Sequence, residues 1–433
     1  MKMAMVVHSY YPADVRVRRE CDALSDRGDW VDLICLQKAG EAPTETLGNV
    51  TVYRLPVQHH RGQGPLGYIK EYLNFFIRAF VKLSRLYFKE KYPIVQVHNM
   101  PDFLVFATLV PKLFGARILL DMHDITPELF VSLYGISEKS RTFKLLCLAE
   151  RLSLAYADAV LTVNKNIRDL FLTRNPIARK IEVVMNAPDP RYFTPIGSGA
   201  SDSTGVFRLF HHGQILRRYS FDVALEGFKI AKQHIPELEL DIYGDGEEKY
   251  IAELKTFIQQ NNLTPCVRLH DRVPVEQIPG LISRAHIGLV PCKKDLFVDT
   301  VMLPVRLLEY VAMNVPSIVS RVGTVEAYFT GEEVAYYTHD NPQQLAEQII
   351  ALYNNPQKRQ DMVTRAQKAF APHTWEKQKE CYYHVIDGLM AMAFHKRNLD
   401  GTRRKKPAPF VPEAQCMEPS QGQIKNFQKG TAP

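Results

Sequence analysis

Short apolar runs alternate with amphipathic stretches along the first half of the chain. The runs have the length of buried strands, and the stretches between them repeat apolar residues at helical spacing. The predicted strands are Met3–Val7, Trp30–Leu36, Val50–Leu55, Ile94–Val97, Arg117–Asp121, Ala159–Val163 and Ile181–Val184. The predicted helices are Val17–Asp26, Gly67–Lys89 and Lys139–Tyr156. Strands that alternate with helices favour a parallel sheet covered on both faces.

The alternation stops at Pro195–Gly205, a run of glycine, serine, aspartate and threonine that is typical of a linker between domains. It then starts again. The predicted strands are Arg208–His211, Glu239–Tyr243, Val267–Leu269, Ile287–Pro291, Ser317–Val319 and Ala335–Thr338. The predicted helices are Phe221–His234, Glu247–Asn261, Pro274–Ala285, Leu303–Met313 and Pro342–Asn355. We therefore predict an α/β protein with two doubly wound domains, residues 1–195 and 196–375, followed by a helix over 376–394 and a tail over 395–433.

Length and composition agree with two soluble domains. At roughly 100–200 residues per domain, 433 residues are too many for one ordinary core. Hydrophobic residues make up 46% and charged residues 23%, which excludes a disordered, collagen-like or disulfide-rich protein. No apolar run approaches the ~18–20 residues of a membrane span, and the apolar start at Met1–His8 is too short for a signal peptide. We expect a cytoplasmic protein.

The seven cysteines are scattered, without a Cys-x-x-Cys pair or histidines at zinc spacing, and their number is odd. This pattern predicts reduced, mostly buried thiols rather than a disulfide framework or a metal centre.

The net charge of +7 is concentrated near the C-terminus. Residues 395–433 hold eight basic and three acidic residues, are rich in proline, glutamine and glycine, and lack periodicity, so we predict a disordered tail. The tail is either simply solvated or binds anionic lipid weakly through Arg403–Lys406. Tyr68–Lys91 is basic and amphipathic, so it either packs on the core with a solvated basic face or lies on a bilayer. Nucleic acid is not indicated, because no aromatic-interleaved motif accompanies the tail.

The most informative stretch is Leu303–Val319. In doubly wound sheets, ligands bind at helix N-termini beyond the carboxyl ends of strands. Pro304 suits the first turn of a helix, where free N–H groups favour an anion such as a diphosphate. Arg306 and Glu309 lie three residues apart on one helix face, where a carboxylate can accept both hydroxyls of a ribose. A plain surface ion pair between these two residues is the alternative.

This stretch resembles the nucleotide-sugar site of family-4 retaining glycosyltransferases, whose GT-B fold places two Rossmann-like domains across a cleft. Many members have a Glu-x7-Glu pair here, and the second Glu binds the ribose. Glu309 matches that second Glu, but Val301 stands in place of the first. The chain thus resembles a branch with Pro-x-Lys/Arg-x-x-Glu, in which Asp295 or Asp299 is the candidate replacement. Asn314, near the family's glycine, tolerates a left-handed helix cap.

The resemblance implies a donor site in the second half. His211–Asp222 resembles the family's strand, glycine loop and basic residue, so Gly213 would approach the diphosphate and Arg218 would bind it. Fixed cations aimed at the leaving diphosphate are then the main catalytic device without a metal. The further donor-side residues are Arg217 beside Arg218, the loop Tyr243, Gly244, Asp245 and Gly246, the base-site residues Arg272 and Val273, and Leu303, Pro304, Arg306 and Glu309 in the helix motif.

The first half resembles the family in three loops that follow predicted strands. The substrate-side candidates in these loops are Asp14, Arg16, His98, Asn99 and Asp124. His123 occupies the position where the family often places a histidine near the donor sugar. Because two histidines follow successive strands beside polar residues, we predict an active cleft there. The catalytic candidates are His123, Arg218 and Glu309.

The resemblance covers about residues 1–389, including Thr374–Glu376 and the next helix, which in the family crosses back to the first domain. It implies a metal-independent, cofactor-free enzyme that moves a hexose-type sugar from a nucleoside diphosphate to a glycan or lipid-linked glycan at the inner face of the membrane. Surface polysaccharide or glycolipid synthesis is the implied role. A sugar-nucleotide 2-epimerase and a non-catalytic relative of the same fold are the alternatives.

Overall fold

The computed structural model describes residues 1–58, 65–175, 180–195 and 205–397. Residues 196–204 of the predicted linker and the tail beyond residue 397 lie outside these ranges. Six of the seven cysteines are described; none of these six is in a disulfide and four are buried, in agreement with the predicted reduced, mostly buried thiols. None of the helices in the described ranges is long and apolar enough to cross a membrane.

The first half forms an eight-stranded sheet. Its strands are Lys2–Tyr10 (β1), Trp30–Leu36 (β2), Thr44–Leu47 (β3), Val50–Leu55 (β4), Ile94–His98 (β5), Arg117–Met122 (β6), Ala159–Thr162 (β7) and Ile181–Val183 (β8). Their order is β3-β4-β2-β1-β5-β6-β7-β8, and every neighbouring pair is parallel except β3 with β4. Strand β3 was not predicted, because all four of its residues are exposed and it has no apolar run.

Helices cover both faces of this sheet. They are Val15–Asp26 (α1), Pro65–Glu90 (α2), Leu109–Leu113 (α3), Thr126–Tyr134 (α4), Arg141–Tyr156 (α5) and Lys165–Arg174 (α6), with a 3₁₀ helix at Asp102–Thr108. The side chains of Asp14, Ser140 and Asn164 cap α1, α5 and α6 by accepting hydrogen bonds from backbone N–H groups of the first turn. The three predicted helices are α1, α2 and α5; the shorter ones were missed.

The second half forms a six-stranded sheet in which all strands are parallel. Its strands are Phe207–His212 (β9), Leu238–Tyr243 (β10), Val267–His270 (β11), Ile287–Val290 (β12), Ser317–Ser320 (β13) and Ala335–Tyr337 (β14), in the order β11-β10-β9-β12-β13-β14. All six were predicted to within two residues at either end. The apolar runs suffice here because parallel strands covered on both faces are apolar along their length.

The helices of the second half agree with the prediction except at Pro274–Ala285 and at Leu296–Thr300, Gly323–Glu326 and Pro356–Phe370, where no helix was predicted. They are Phe221–Lys232 (α7), Glu248–Gln260 (α8), Ile278–Ile282 (α9), Leu296–Thr300 (α10), Val305–Ala312 (α11), Gly323–Glu326 (α12), Pro342–Tyr353 (α13), Pro356–Phe370 (α14) and Trp375–Arg397 (α15). The long helix predicted over Pro274–Ala285 is instead a 3₁₀ turn at Val275–Gln277 followed by the short α9. Pro279 and Gly280 in the middle of this stretch disfavour a longer α-helix.

In both sheets the chain adds strands on one side of the first strand and then returns to the other side. Strand β5 lies beside β1 on the side away from β2, and β12 lies beside β9 on the side away from β10. Each sheet therefore has a switch point, between β1 and β5 and between β9 and β12. Ligands of doubly wound sheets bind beyond the carboxyl ends of the strands at such points.

The last helix, α15, packs against the first sheet although it follows the second sheet in sequence. The Tyr382 hydroxyl donates a 2.7 Å hydrogen bond to Oε1 of Gln96 in β5, and Gln378 Oε1 accepts one from the Met185 N–H, also at 2.7 Å. The Arg19 guanidinium lies 4.4 Å from the centre of the Trp375 ring. The chain therefore crosses back to the first half, as the resemblance implied.

Replacing Leu389 of α15 by alanine tests how far this helix supports the first half. Leu389 is fully buried, so Leu389→Ala should lower the free energy of unfolding by about 2–5 kcal/mol through lost burial and the cavity left behind. Urea unfolding followed by circular dichroism measures the change. Leu113→Ala, at a position 72% exposed, is the control; an equal effect of both changes would contradict the packing of α15.

Candidate active site

Loops at the carboxyl ends of the two sheets contact each other directly. Ser132 of α4 donates a 2.8 Å hydrogen bond from Oγ to Oδ2 of Asp295, which precedes α10. The side-chain amide of Asn164, which follows β7, donates to the carbonyl oxygen of Val301 at 2.8 Å. Because α10 follows β12, the carboxyl edges of the two sheets face each other across a cleft. The predicted site residues of both halves come from loops at these two edges.

In the first half, Asp121 holds two histidines. Its Oδ2 lies 2.8 Å from Nδ1 of His98 and 3.4 Å from Nδ1 of His123, and all three residues are buried. Burial lowers the pKa of His98, but its hydrogen bond to Asp121 and the charge of Glu20 raise it above the ordinary value. Burial alone would raise the pKa of Asp121, and the two histidines reverse this and lower it strongly. The cluster thus stabilises one negative and at least one positive charge in the cleft.

Asp14 and Arg16 belong to the same cluster. Asp14 caps α1 by accepting from the Arg16 N–H, and its carboxylate lies 3.3 Å from the Arg16 guanidinium. Burial opposes ionisation of Asp14, but the charge of Arg16, with smaller effects of His123 and His98, lowers its pKa to about 2. The charge of Asp124 also acts on Arg16. The loops after β1, β5 and β6 therefore bring their predicted polar residues together.

Asn99 braces the loop that carries His123 and Asp124. Its Oδ1 accepts from the His123 N–H at 3.1 Å, while its Nδ2 donates to the Asp124 carbonyl oxygen at 2.6 Å and to Oδ1 of Asp102 at 3.0 Å. Burial raises the pKa of Asp102 to about 6. Asn99, predicted as a substrate-side residue, thus uses its amide to fix the backbone beside His123.

Ligand atoms of His98, Asp121 and His123 all lie within 4.8 Å of one another, a spacing that a divalent ion can bridge. The contacts present already pair two imidazoles with one carboxylate oxygen. A metal-independent reaction therefore stays a prediction for this site.

In the second half, Gly213 and Arg306 meet at the switch point. Gly213 has a φ of 120°, and a Cβ atom there would lie 3.0 Å from Nη2 of Arg306, so glycine is required at this position. Nη1 of Arg306 lies 2.8 Å from Nε2 of His211, and its guanidinium stacks 4.4 Å from the centre of the Tyr219 ring. Pro304 is the N-cap residue of α11, whose free N–H groups therefore open beside this arginine.

Glu309 pairs with a histidine rather than with Arg306. Its Oε2 lies 3.1 Å from Nε2 of His212, the last residue of β9. Helix α11 ends at Ala312, and Asn314, which follows the C-cap residue Met313, has a φ of 63° that confirms the predicted left-handed cap. The alternative of a plain Arg306–Glu309 surface pair is therefore wrong, because the two side chains contact the neighbouring residues His211 and His212 of β9.

Arg218 places a second cation near Arg306. The charges of both guanidinium groups act on the buried Cys292 thiol, whose pKa burial raises to about 12. Arg218 lies 5.3 Å from the centre of the Phe297 ring, and within the described ranges its guanidinium has no hydrogen-bonded or ion-paired partner. An arginine without a carboxylate partner is available to bind phosphate oxygens.

The glycine loop after β10 packs tightly against the Gly213 loop. A Cβ atom on Gly244 would lie 1.8 Å from the Gly213 carbonyl oxygen, and one on Gly246 would lie 2.0 Å from the Ile215 carbonyl oxygen. Both glycines are therefore needed for this close approach of two backbones. Tyr243 stacks on His270 with ring centres 4.1 Å apart.

Other predicted residues lie outside this arrangement. Arg217 is exposed, pairs with Glu253 at 2.6 Å and covers the Tyr250 ring, so it points towards α8. Asp295 caps α10 and binds Ser132, while Asp299 accepts from the Gly323 N–H at 2.7 Å. Both carboxylates thus hold loops in place. Asp245 and Arg272 form an exposed pair at 3.9 Å, and Val273 and Leu303 are half-buried.

The structure adds residues that the sequence interpretation did not single out as functional. Asp121, His211 and His212 each stand at the carboxyl end of a buried strand, which is a usable signal. Glu20 lies on the apolar stripe of α1, and its Oε2 accepts a 2.6 Å hydrogen bond from Gln96 Nε2 and lies 3.8 Å from His98 Nε2. A carboxylate in an apolar stripe is itself unusual enough to mark a buried polar site.

Known structures share this architecture. A sucrose-phosphate synthase from Thermosynechococcus elongatus aligns with a TM-score of 0.71 at 17% identity, over 90% of this chain and 99% of that one. The HepE protein of Anabaena, solved in complex with UDP-glucose, aligns with a TM-score of 0.67 at 15% identity, over 90% of this chain and 100% of that one. These likenesses show the GT-B fold.

Two family models match the chain, one on each half. The glycosyl transferase 4-like domain matches residues 13–187, and the glycosyl transferases group 1 domain matches residues 203–369. The chain belongs to the family-4-like glycosyltransferases of the GT-B fold. Among curated proteins, the amylovoran biosynthesis glycosyltransferase AmsK of Erwinia amylovora is 31% identical over 113 residues. That alignment takes in 26% of this glycosyltransferase and 27% of AmsK, about a quarter of either protein.

The buried Glu20 of this glycosyltransferase predicts a pH-dependent stability. Burial raises its pKa to about 7, against an ordinary value of 4.5. As the pH rises, the Glu20 carboxyl therefore loses its proton in the unfolded chain before it does so in the folded protein. The stability that this group contributes to the folded protein is fully present below about pH 4.5 and is lost as the pH rises to about 7. Glu20→Gln should remove this loss. Wild type should thus lose, relative to the variant, as much as about 3 kcal/mol of unfolding free energy between pH 5 and pH 8.

Urea unfolding at the two pH values measures this difference. Glu376→Gln, on the exposed side of α15, is the matched control and should change the unfolding free energy equally at both. If wild type and Glu20→Gln differ in unfolding free energy by the same amount at both pH values, Glu20 is not held in its buried, protonated form.

Proposed function

We propose that this glycosyltransferase moves a sugar from a nucleoside diphosphate to a glycan or lipid-linked glycan, with retention of configuration and without a metal. The observation that carries the proposal is the pair of cations at the second switch point. Arg218 has no partner among the described residues, and Arg306 lies against Gly213 beside the N-terminus of α11. This arrangement suits a diphosphate, since N–H groups, a glycine backbone and guanidinium groups converge on one point.

The donor would lie with its diphosphate against Gly213, Arg218 and Arg306. Its ribose would reach Glu309, which matches the second Glu of the family's motif. The base would lie towards the Tyr243–Gly246 loop and Arg272. We also propose that the chain belongs to the branch of the family that carries the Pro-x-Lys/Arg-x-x-Glu motif. HepE was solved with UDP and with UDP-glucose, which supports a nucleotide-sugar donor for a chain of this fold.

The reaction exchanges one glycosidic bond for another. The acceptor hydroxyl oxygen bonds to the anomeric carbon as the bond from that carbon to the diphosphate breaks, and the hydroxyl proton passes to the leaving phosphate. Negative charge grows on the diphosphate during this step. Arg306 is held by His211 and Tyr219 and Arg218 lies against Phe297, so both would stabilise that charge with little reorganisation. No carboxylate of the chain is assigned as a nucleophile.

The first half would place the acceptor and the transferred sugar. We propose that His123, whose Nδ1 lies 3.4 Å from Asp121 and whose N–H donates to Asn99, faces the transferred sugar, as the resemblance to the family implies. Asp14, Arg16, His98 and Asp124 surround it. The likeness to AmsK, named for amylovoran biosynthesis, supports a role in making a surface polysaccharide. An epimerase would need no acceptor, so acceptor-dependent release of nucleoside diphosphate separates the two activities.

The adjacent residues Arg217 and Arg218 provide a matched test. A thermal-shift screen with UDP, GDP, ADP and their sugar conjugates first identifies the donor. Arg218→Ala should then lower the turnover of that donor about a hundredfold or more, because one fixed positive charge is lost from the transition state. Arg217→Ala, which removes only the exposed pair with Glu253, should stay within about twofold of wild type.

Transfer in excess of a chelator should be unchanged if the reaction is metal-independent. Equal effects of the two arginine substitutions, or the absence of binding by any nucleoside diphosphate, would contradict the proposed donor site.

We also propose that the enzyme works at the membrane surface through the outer face of α2. Its buried face holds Phe75, Ala79 and Leu83, while five large apolar side chains face solvent: Ile69, Leu73, Ile77, Val81 and Phe88. Basic residues are interleaved with them on the exposed face, namely Lys70, Arg78, Arg85, Lys89 and Lys91. Large apolar side chains exposed together are unusual on a soluble domain. Together with the basic residues they suit an anionic bilayer, where an acceptor glycolipid would lie.

Vesicle flotation tests this surface. The full chain should float with vesicles that contain phosphatidylglycerol and not with phosphatidylcholine alone. Ile77→Glu should weaken this binding about tenfold, because it puts a negative charge where an apolar group enters the bilayer. Leu47→Glu, at an exposed apolar residue of β3, is the control. A chain ending at residue 397 measures the contribution of the tail; binding that depends on the tail alone would contradict a role for α2.

A further inference from the structure

Two neighbouring histidines, His211 and His212, end β9 at the switch point of the second sheet. Neighbouring residues of a strand point to opposite faces, yet both side chains reach α11. His211 contacts Arg306 and His212 contacts Glu309, three residues apart on that helix. His211 is fully buried and His212 is 8% exposed. Arg306 and Glu309, the two polar residues of α11 proposed to bind the donor, are therefore both contacted by side chains at the end of β9.

The contact with Arg306 fixes the tautomer of His211. A guanidinium only donates hydrogen bonds, so Nε2 of His211, 2.8 Å from Nη1 of Arg306, must be the acceptor and carry no proton. Its Nδ1 then carries the proton and donates to the Leu289 carbonyl oxygen at 2.9 Å. Burial, followed by the charge of Arg306, lowers the pKa of His211 well below its usual range. A neutral imidazole with one donor and one acceptor in fixed positions is thus built into the core.

His212 approaches Glu309 in a different way. Its Nε2 lies 3.1 Å from Oε2 of Glu309, a close polar contact that lacks the geometry of a hydrogen bond. Because a carboxylate only accepts, Nε2 can serve Glu309 only as a donor. The His212 ring is held edge-on against Tyr310, with centres 5.5 Å apart. The contact is with Oε2 of Glu309, and Oε1 has no hydrogen-bonded partner among the described residues, which leaves Oε1 for a ligand.

We propose that His211 and His212 are positioning residues of the donor site, His211 aiming Arg306 at the diphosphate and His212 orienting Glu309 towards the ribose. The inference rests on the proposed function. It goes beyond that function by dividing donor recognition between two neighbouring residues that do not touch the donor. Loss of His211 should therefore weaken recognition of the phosphates, and loss of His212 should weaken recognition of the ribose hydroxyls.

Glutamine and asparagine distinguish a contact at Nε2 from one at Nδ1 of an imidazole. Glutamine has a polar group close to the Nε2 position and can contact Arg306 or Glu309. Asparagine reaches only the Nδ1 position, so His211→Asn keeps the donor to Leu289 and loses the acceptor for Arg306. The test uses the full chain in four variants: His211→Asn, His211→Gln, His212→Asn and His212→Gln. Circular dichroism melting confirms that each is folded.

Calorimetric titration with UDP, GDP and ADP, with the matching nucleoside monophosphate and with the 2′-deoxy diphosphate gives the readout. His211→Asn should weaken diphosphate binding about 10- to 100-fold with a much smaller effect on the monophosphate, and His211→Gln should restore most of it. His212→Asn should reduce the preference for the ribose over the 2′-deoxy form about tenfold without changing the preference for diphosphate over monophosphate. In an Arg306→Met background, asparagine and glutamine at position 211 should bind alike.

Three results would overturn the inference. If the asparagine variants weaken all ligands equally, the histidines only support the fold. If His211→Asn binds the diphosphate as wild type does, the inference fails while the proposed donor site stands. If wild type binds none of the three diphosphates, the proposed function and the inference both fail.

Discussion

The hydrogen bonds from Ser132 and Asn164 to the loop after β12 set the geometry of the whole cleft. Each sheet by itself only gathers loops at the carboxyl ends of its strands. The two bonds bring these edges face to face, so that the Asp121 cluster and the Arg306–Glu309 helix lie on opposite walls. The acceptors of these bonds are the Asp295 side chain and the Val301 carbonyl, so the segment between them joins the two halves. Val301 also stands where many members of the family have the first Glu of the motif. The chain therefore departs from the family motif at a residue that contacts the other domain.

The two walls of the cleft differ in how they hold charge. In the first half, one buried carboxylate, Asp121, gathers two imidazoles, and the cluster is nearly closed to solvent. In the described part of the second half, two cations have neutral partners: Arg306 contacts an imidazole and an aromatic ring, and Arg218 contacts the Phe297 ring. A guanidinium without a carboxylate keeps its full charge for a ligand. The arrangement is that expected of an anion site facing a site for polar, uncharged groups.

The sequence was most informative where burial determines both composition and structure. Strands β2 and β4 were predicted with the correct ends. Strand β2 is a mostly apolar run buried along six of its seven residues, and β4 alternates buried with half-buried residues over its first four positions. The exposed strand β3 and the short helices α3, α4 and α6 lacked such runs. Among the site residues, those in turns of restricted geometry, such as Gly213 and Asn314, could be predicted from residue type. The roles of Arg217 and Arg218 could not, since these neighbours differ only in what tertiary structure puts beside them, Glu253 for one and Phe297 for the other.

The return of α15 to the first half means that the chain passes between the halves twice, between β8 and β9 and again between α14 and α15. One connection would restrict the relative orientation of the two halves less than two connections do. The hydrogen bonds of Ser132 and Asn164 add links between the loops that face each other. The relative position of the two sheets is therefore determined by covalent and by hydrogen-bonded links together.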